Sequence, residues 1–213
     1  MWPDKFVVKI CGIRTPAAAH AAINAGADLL GFIFYPLARR AVTSQYARTI
    51  LKSLNARSNI GVVGVFVNPN PSEANQIADD VNLDYIQLSG DEPAIIFSQF
   101  NRPIIKAVRL SPTITQHLPR DSIQAIILEP AAAGIGGAGI SHDLTQARTV
   151  TTYQPRPPIL LAGGLRPETV ADAIITVHPD GVDVSSGVER DGHQDEEQIF
   201  SFIQNARGAV TWQ

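Results

Sequence analysis

Cys11 is the only cysteine of the chain, and it closes an apolar run, Phe6-Val7-Val8-Lys9-Ile10, just ahead of a helix start at Thr15-Pro16. A thiol at the carboxyl end of a buried strand sits where α/β enzymes keep their chemistry. By itself, a single cysteine beside an apolar run is more often a small core residue. The far end of the chain shifts that balance. Leu160-Leu161-Ala162-Gly163-Gly164 and Gly181-Val182-Asp183-Val184-Ser185-Ser186-Gly187 each end an apolar run in residues that suit an anion. Gly163 and Gly164 let the backbone approach a phosphate closely. The amides around Ser185, Ser186 and Gly187 can point at its oxygens from a helix start, where the dipole favours negative charge. Paired glycines and Ser-Ser-Gly also occur as ordinary turns. Both motifs at consecutive strand ends in the last third of the chain point to a phosphorylated small molecule as ligand.

The elements that must position these groups form one repeating unit, a short apolar run followed by an amphipathic helix. Strands are predicted at 7–10, 29–34, 60–66, 85–88, 104–108, 125–128, 159–162 and 181–184. They are rich in Val and Ile and continuously apolar, as strands covered on both faces should be. Thr15-Pro16 offers a cap and a first-turn proline for a helix over 17–24, with Gly26 placed to stop it. Asn70-Pro71-Ser72-Glu73 carries an acceptor at the cap, proline at the first position and Glu at the third. Arg166-Pro167-Glu168 predicts a helix over 168–177. The segment 134–139, rich in glycine, reads as a mobile loop and a plausible lid. No linker splits the chain.

Eight such units can close as a barrel or lie open as a doubly wound sheet. The open alternative wants a glycine fingerprint after its first strand, with an acid about 20 residues on. Cys11-Gly12-Ile13-Arg14 lacks the second and third glycines. The expectation is therefore α/β, a single-domain (β/α)8 TIM barrel spanning 1–213, compact for that fold.

Composition narrows the partners. With 45% hydrophobic and 17% charged residues the chain is globular, and its net charge of −3 with no basic cluster beyond Arg39-Arg40 argues against nucleic acid. One cysteine excludes an internal disulfide and fits a reducing compartment. Met1-Trp2-Pro3-Asp4-Lys5 lacks the layout of a signal peptide, and no apolar run is long enough for a membrane span, so a cytoplasmic protein is expected. His20, His117 and His178 read as surface or helix-end residues, and no pair has a metal-ligand spacing. Trp2 and Trp212 can pack the bottom of the barrel or a partner. The oligomeric state, monomer or homodimer, is left open.

Lys9-Ile10-Cys11-Gly12-Ile13 resembles the opening motif of the phosphoribosylanthranilate isomerase family, tryptophan-pathway enzymes that perform an Amadori rearrangement. The resemblance runs in order along nearly the whole chain. It continues through Gly31-Phe32-Ile33-Phe34 with Arg40, then Gly64-Val65-Phe66-Val67-Asn68 and Gln87-Leu88-Ser89-Gly90-Asp91-Glu92. The glycine loop ending in Asp143, Leu161-Ala162-Gly163-Gly164-Leu165 and Asp183-Val184-Ser185-Ser186-Gly187-Val188-Glu189 complete it. The resemblance implies conversion of N-(5′-phosphoribosyl)anthranilate to 1-(2-carboxyphenylamino)-1-deoxyribulose 5-phosphate without metal or organic cofactor. It implies Cys11 as general base, Arg40 as holder of the anthranilate carboxylate with Arg39 as an adjacent candidate, and Asp183 facing the pocket.

The general acid is where the sequence departs. The family carries aspartate at the end of strand six, and this chain has Glu129. Glutamate can transfer the same proton from one methylene further out, whereas catalysis also demands placement within about half an ångström. Ser89 stands where histidine is usual, and Ala138, Ile140 and His142 replace the usual loop residues. Gln194 stands where a lysine often precedes Asp195, and reads as a surface change. These departures gather on the catalytic face and keep an alternative open: a phosphate-binding barrel acting on, or sensing, a different phosphosugar.

Overall fold

The computed structural model describes residues 2–54, 60–111, 113, 123–131 and 143–210. Eight parallel strands follow one another around a closed barrel: β1 Val7–Cys11, β2 Leu29–Ile33, β3 Gly61–Phe66, β4 Tyr85–Leu88, β5 Ile104–Arg109, β6 Ala125–Glu129, β7 Ile159–Leu161 and β8 Gly181–Val184. The last strand pairs with the first, Lys9 lying opposite Asp183. The segment 134–139, His117, His142, Ala138, Ile140 and Trp212 fall outside the described residues.

The continuous apolar strands are explained by two cores at period two. Val7, Leu29, Val63, Tyr85, Ile105, Ile127 and Leu160 point into the barrel. Val8, Ile10, Leu30, Phe32, Ile86 and Leu128 point outward, to pack with helix residues such as Ala18, Ala22, Phe202 and Ile203. Both faces being covered, neither needs polar residues. Trp2 closes the amino-terminal end, its ring meeting Tyr85 edge-on with centroids 5.6 Å apart.

The helices are α1 Pro16–Ala25, α2 Ser44–Lys52, α3 Pro71–Val81, α4 Leu144–Thr152, α5 Val170–Val177 and α6 Glu196–Gly208. Their start and stop signals act as the sequence suggests. Thr15 Oγ1 accepts from the Ala18 amide, Asn70 Oδ1 accepts from the Ser72 amide, and Gly26 ends α1 with φ of 96°. Two departures have local causes. Helix α5 begins at Val170 rather than 168, because Thr169 Oγ1 accepts from the Arg166 amide and holds Arg166-Pro167-Glu168 in a turn. Between β4 and β5 the repeat shrinks to a 3₁₀ helix, Ala94–Gln99. After β8 a 3₁₀ turn, Ser186–Val188, leads into a small antiparallel hairpin, β9 Glu189–Arg190 and β10 His193–Gln194. No helix among the described residues is long and apolar enough to cross a membrane.

The amino-terminal end carries one repeated device. Asp28, Asp84 and Asp180 precede strands β2, β4 and β8, and each carboxylate accepts from the backbone of the strand before it: Val8 and Val62 at 2.8 Å, Ile159 at 2.7 Å. Asp28 is also ion-paired to Lys5 and Arg207. Asp28→Ala strands the buried Val8 amide and removes the carboxylate that pairs with Lys5 and Arg207. A loss of about 2–3 kcal/mol in urea unfolding is expected, with ligand binding at the opposite end of the barrel unchanged.

Candidate active site

At the carboxyl ends of the strands lies a cavity of about 540 Å³. Its wall includes Cys11, Glu129, Arg40, Asp183, Gly163, Gly164, Ser185, Ser186 and Gly187, which together are all the site residues singled out in the sequence. Strand alternation explains the grouping: Lys9 and Cys11 on β1, Glu129 at the end of β6, and Asp183 on β8 all point inward.

Lys9 is fully buried, and its Nζ donates to Asp183 Oδ1 at 2.8 Å. Burial works against the ammonium, but the Asp183 carboxylate and the Cys11 sulfur outweigh it and raise the pKa above the ordinary lysine value. Cys11 is buried too, and desolvation pushes its thiol up, while Lys9 and Arg40 pull it back and Asp183 pushes further. Gly31 faces Cys11 in register, and a Cβ there would stand 2.8 Å from Sγ. A side chain at this position would press on the thiol and on Lys9 Nζ.

Glu129, half-buried and opposite Arg109 in the β5–β6 pairing, also has its pKa raised. Loss of water is the main cause and the Asp183 carboxylate adds to it, against Arg109, Lys106 and Lys9. A carboxylic acid and a thiol, both biased toward their protonated forms, therefore share one cavity.

Arg40 lies at the wall with 6% exposure, held by Glu189 through Nε at 2.6 Å and Nη2 at 3.1 Å. Arg39, largely exposed, shares that carboxylate. Burial of Glu189 would raise its pKa, but the two guanidinium groups more than reverse this and hold it below the usual carboxylate range. Arg14 and Arg39 both donate to Gly192 O at 2.8 Å, so three arginines clamp the hairpin against the ends of β1 and β2. Gln194 is not a surface change. It points inward and donates from Nε2 to Cys11 O at 3.1 Å, because the clamp brings β10 over the end of β1.

Gly163 and Gly164 have φ of 87° and 68°, and a Cβ on Gly163 would stand 2.2 Å from Pro130. A Cβ on Gly187 would lie 1.7 Å from Leu165 O, so the β7 and β8 loops meet without a side chain between them. Ser185 Oγ is buried at the wall with no hydrogen-bond partner among the described residues, as is Gln87 Oε1. Ser89 accepts from Gln87 Nε2 at 3.1 Å. Glu92, by contrast, is structural. It accepts from the Asn68 and Gly90 amides and pairs with buried Lys106 at 2.9 Å, shaping the end of β4.

A family model described as N-(5′phosphoribosyl)anthranilate (PRA) isomerase matches residues 8–205. The chain belongs to this isomerase family. The N-(5′-phosphoribosyl)anthranilate isomerase of Roseiflexus castenholzii is 41% identical over 215 residues, spanning 96% of this chain and 99% of the relative. The crystal structure of phosphoribosyl anthranilate isomerase from Thermotoga maritima superposes with a TM-score of 0.85 at 35% identity, covering 95% of this chain and 99% of that one. A structure of phosphoribosyl anthranilate isomerase in complex with reduced 1-(o-carboxyphenylamino)-1-deoxyribulose 5-phosphate gives 0.80 at 34% identity, with the same coverage.

The sequence assigns no role to Lys9, Gln87 or Glu189, and it reads Gln194 as a surface residue, which its bond to the Cys11 carbonyl corrects. Lys9 carried a usable signal, a charge two residues before Cys11 inside an otherwise apolar strand. Glu189 and Gln194 carried none, because only the folded hairpin brings them to β1 and β2. With one cysteine in the chain, alkylation by iodoacetamide reads Cys11 alone. Its rate should rise with pH to a midpoint above the ~8.5 of a free thiol, and a midpoint at or below that value would contradict desolvation as the dominant influence.

Proposed function

We propose that this chain is a cytoplasmic isomerase that converts N-(5′-phosphoribosyl)anthranilate to 1-(2-carboxyphenylamino)-1-deoxyribulose 5-phosphate in tryptophan biosynthesis, with Glu129 as general acid and Cys11 as general base. The observation that carries it is the pairing, in one cavity beside an anion-suited double loop, of a carboxyl and a thiol whose pKa values are both raised. Membership of the family supplies the substrate.

Glu129 in its acid form gives a proton to the furanose oxygen as the C1′–O bond breaks, leaving a protonated Schiff base. The Cys11 thiolate then removes the proton from C2′, giving the enolamine, which tautomerises to the ketone. The atoms of product and substrate are the same, so no outside oxidant or reductant enters. The Arg40 guanidinium, with Nε and Nη2 engaged by Glu189, presents its remaining N–H edge to the anthranilate carboxylate. The phosphate sits against Gly163, Gly164, Ser185, Ser186 and Gly187, where Ser185 Oγ gains the partner it lacks. Asp183 keeps Lys9 in place and borders the sugar.

Turnover followed by loss of anthranilate-type fluorescence tests this. Cys11→Ser and Glu129→Gln should each lower kcat by about 10²–10⁴, with Glu129→Asp retaining more than Glu129→Gln. An active Cys11→Ser variant would remove the thiol from the mechanism. A wild type that binds phosphosugars but does not turn this substrate over would favour the sensor alternative. Gly187→Ala, forced against Leu165 O, should raise KM far more than it lowers kcat at saturation.

The reactive form needs Glu129 protonated and Cys11 ionised together. With the thiol pKa above the carboxyl pKa, that form is a minor one. Its population is constant between the two values and falls outside them. kcat/KM should trace a bell, its acid limb above the ordinary carboxyl range and its alkaline limb above the ordinary thiol range.

A further inference from the structure

We propose that Lys9 is a positioning residue of the reaction, its ammonium locked by Asp183 on one side and set beside Cys11 Sγ on the other so that the thiolate can form in a dry site. This rests on the assignment of Cys11 as the base and adds what makes that base usable. Lys9 and Cys11 are two residues apart on β1 and share the inward face. Both crowd the space opposite Gly31, whose absent Cβ would stand 2.8 Å from Sγ and 3.2 Å from Lys9 Nζ. Sγ and Nζ are thus neighbours across the space that Gly31 leaves open. Asp183, paired with Lys9 across the β1–β8 seam, fixes the ammonium at 2.8 Å.

A barrel interior is normally filled by branched apolar side chains, and a buried ion pair is a poor substitute where only packing is needed. Lys9 is fully enclosed all the same, at the level where the apolar filling gives way to the cavity. The groups that act on Cys11 come from three elements. Lys9 lies on its own strand, Asp183 is on β8, and Arg40 follows β2. Lys9 is the largest influence opposing desolvation, Arg40 a smaller one, and Asp183 acts in the opposite sense. Glu129 on β6 feels Lys9 and Asp183 as well, so the pair links base to acid.

The test compares wild type with Lys9→Met, which keeps the length and removes the charge, and with Lys9→Met/Asp183→Asn, which leaves no lone carboxylate in the interior if the single variant fails to fold. The alkylation midpoint of Cys11 should rise by at least about one pH unit in Lys9→Met, and less in the double variant because Asp183 no longer opposes. Alkylation at pH 7.5 should slow by about tenfold per unit. The alkaline limb of kcat/KM should move up with the thiol midpoint and the plateau should fall in proportion, a change that simple misfolding does not produce. A folded Lys9→Met protein with an unmoved midpoint, while Cys11→Ser is inactive, would overturn the role of Lys9 alone. Normal turnover by Cys11→Ser would overturn the base assignment, and the role of Lys9 with it, whatever the midpoint does.

Discussion

The catalytic end of the barrel depends on one ion pair buried where the sheet closes on itself, Lys9 of β1 with Asp183 of β8 at 2.8 Å. Closure makes the interior a space of fixed size that alternate residues of eight strands must fill. Below the pair the filling is apolar, from Val7, Leu29, Val63, Tyr85, Ile105 and Leu160. Above it the space opens into the cavity. The pair is the transition between the two, and it is tolerated because each partner neutralises the other. Remove either and the other is left without its counter-ion in the interior.

Stability and chemistry are divided between the two ends. At the amino-terminal end Asp28, Asp84 and Asp180 tie neighbouring strands through backbone amides, and Trp2 lies over the inner core. None of these residues lines the cavity. At the other end the polar groups are placed by contacts distant in sequence: Glu189 holds Arg40 across 149 positions, and Gln194 holds the Cys11 carbonyl across 183. The hairpin after β8 has only four strand residues, yet it fixes one wall of the site because three arginines hold it down.

This difference in range decides what the sequence reveals. The eight strands were legible because fully covered strands carry uninterrupted Val and Ile, and no observed boundary differs from the predicted one by more than one residue. β1 runs through Cys11 and β6 through Glu129, one residue past the predicted apolar runs. Gly26, Thr15 and Asn70 were legible because a cap is a local hydrogen bond. The start of α5 was not, since the Thr169 hydroxyl competes for the Arg166 amide and no pattern of apolar residues records that contest. The support that Glu189 gives Arg40 and Gln194 gives the Cys11 carbonyl was invisible for the opposite reason. These residues are ordinary in their own neighbourhood and acquire meaning only when β10 lies over β1. Lys9 stands between these cases, since its charge in an apolar strand was visible but its partner lay 174 residues away.

The exchange of aspartate for Glu129 is best judged by the charges around it. Desolvation and the Asp183 carboxylate push the Glu129 pKa up, while Arg109, Lys106 and Lys9 restrain it. The same Lys9 and Asp183 act on Cys11, with Lys9 lowering and Asp183 raising both pKa values. A change at Lys9 therefore moves both groups in the same direction but the thiol further, because Lys9 is the largest influence opposing desolvation at Cys11 and the smallest of those acting on Glu129. A longer acid keeps this coupling so long as its carboxyl stays within the field of the pair. Ser89, small and turned toward Gln87, leaves the β4 side of the cavity less crowded than a histidine would. Glu129 lines the same part of the cavity, so the smaller residue on β4 and the longer one on β6 face a common space.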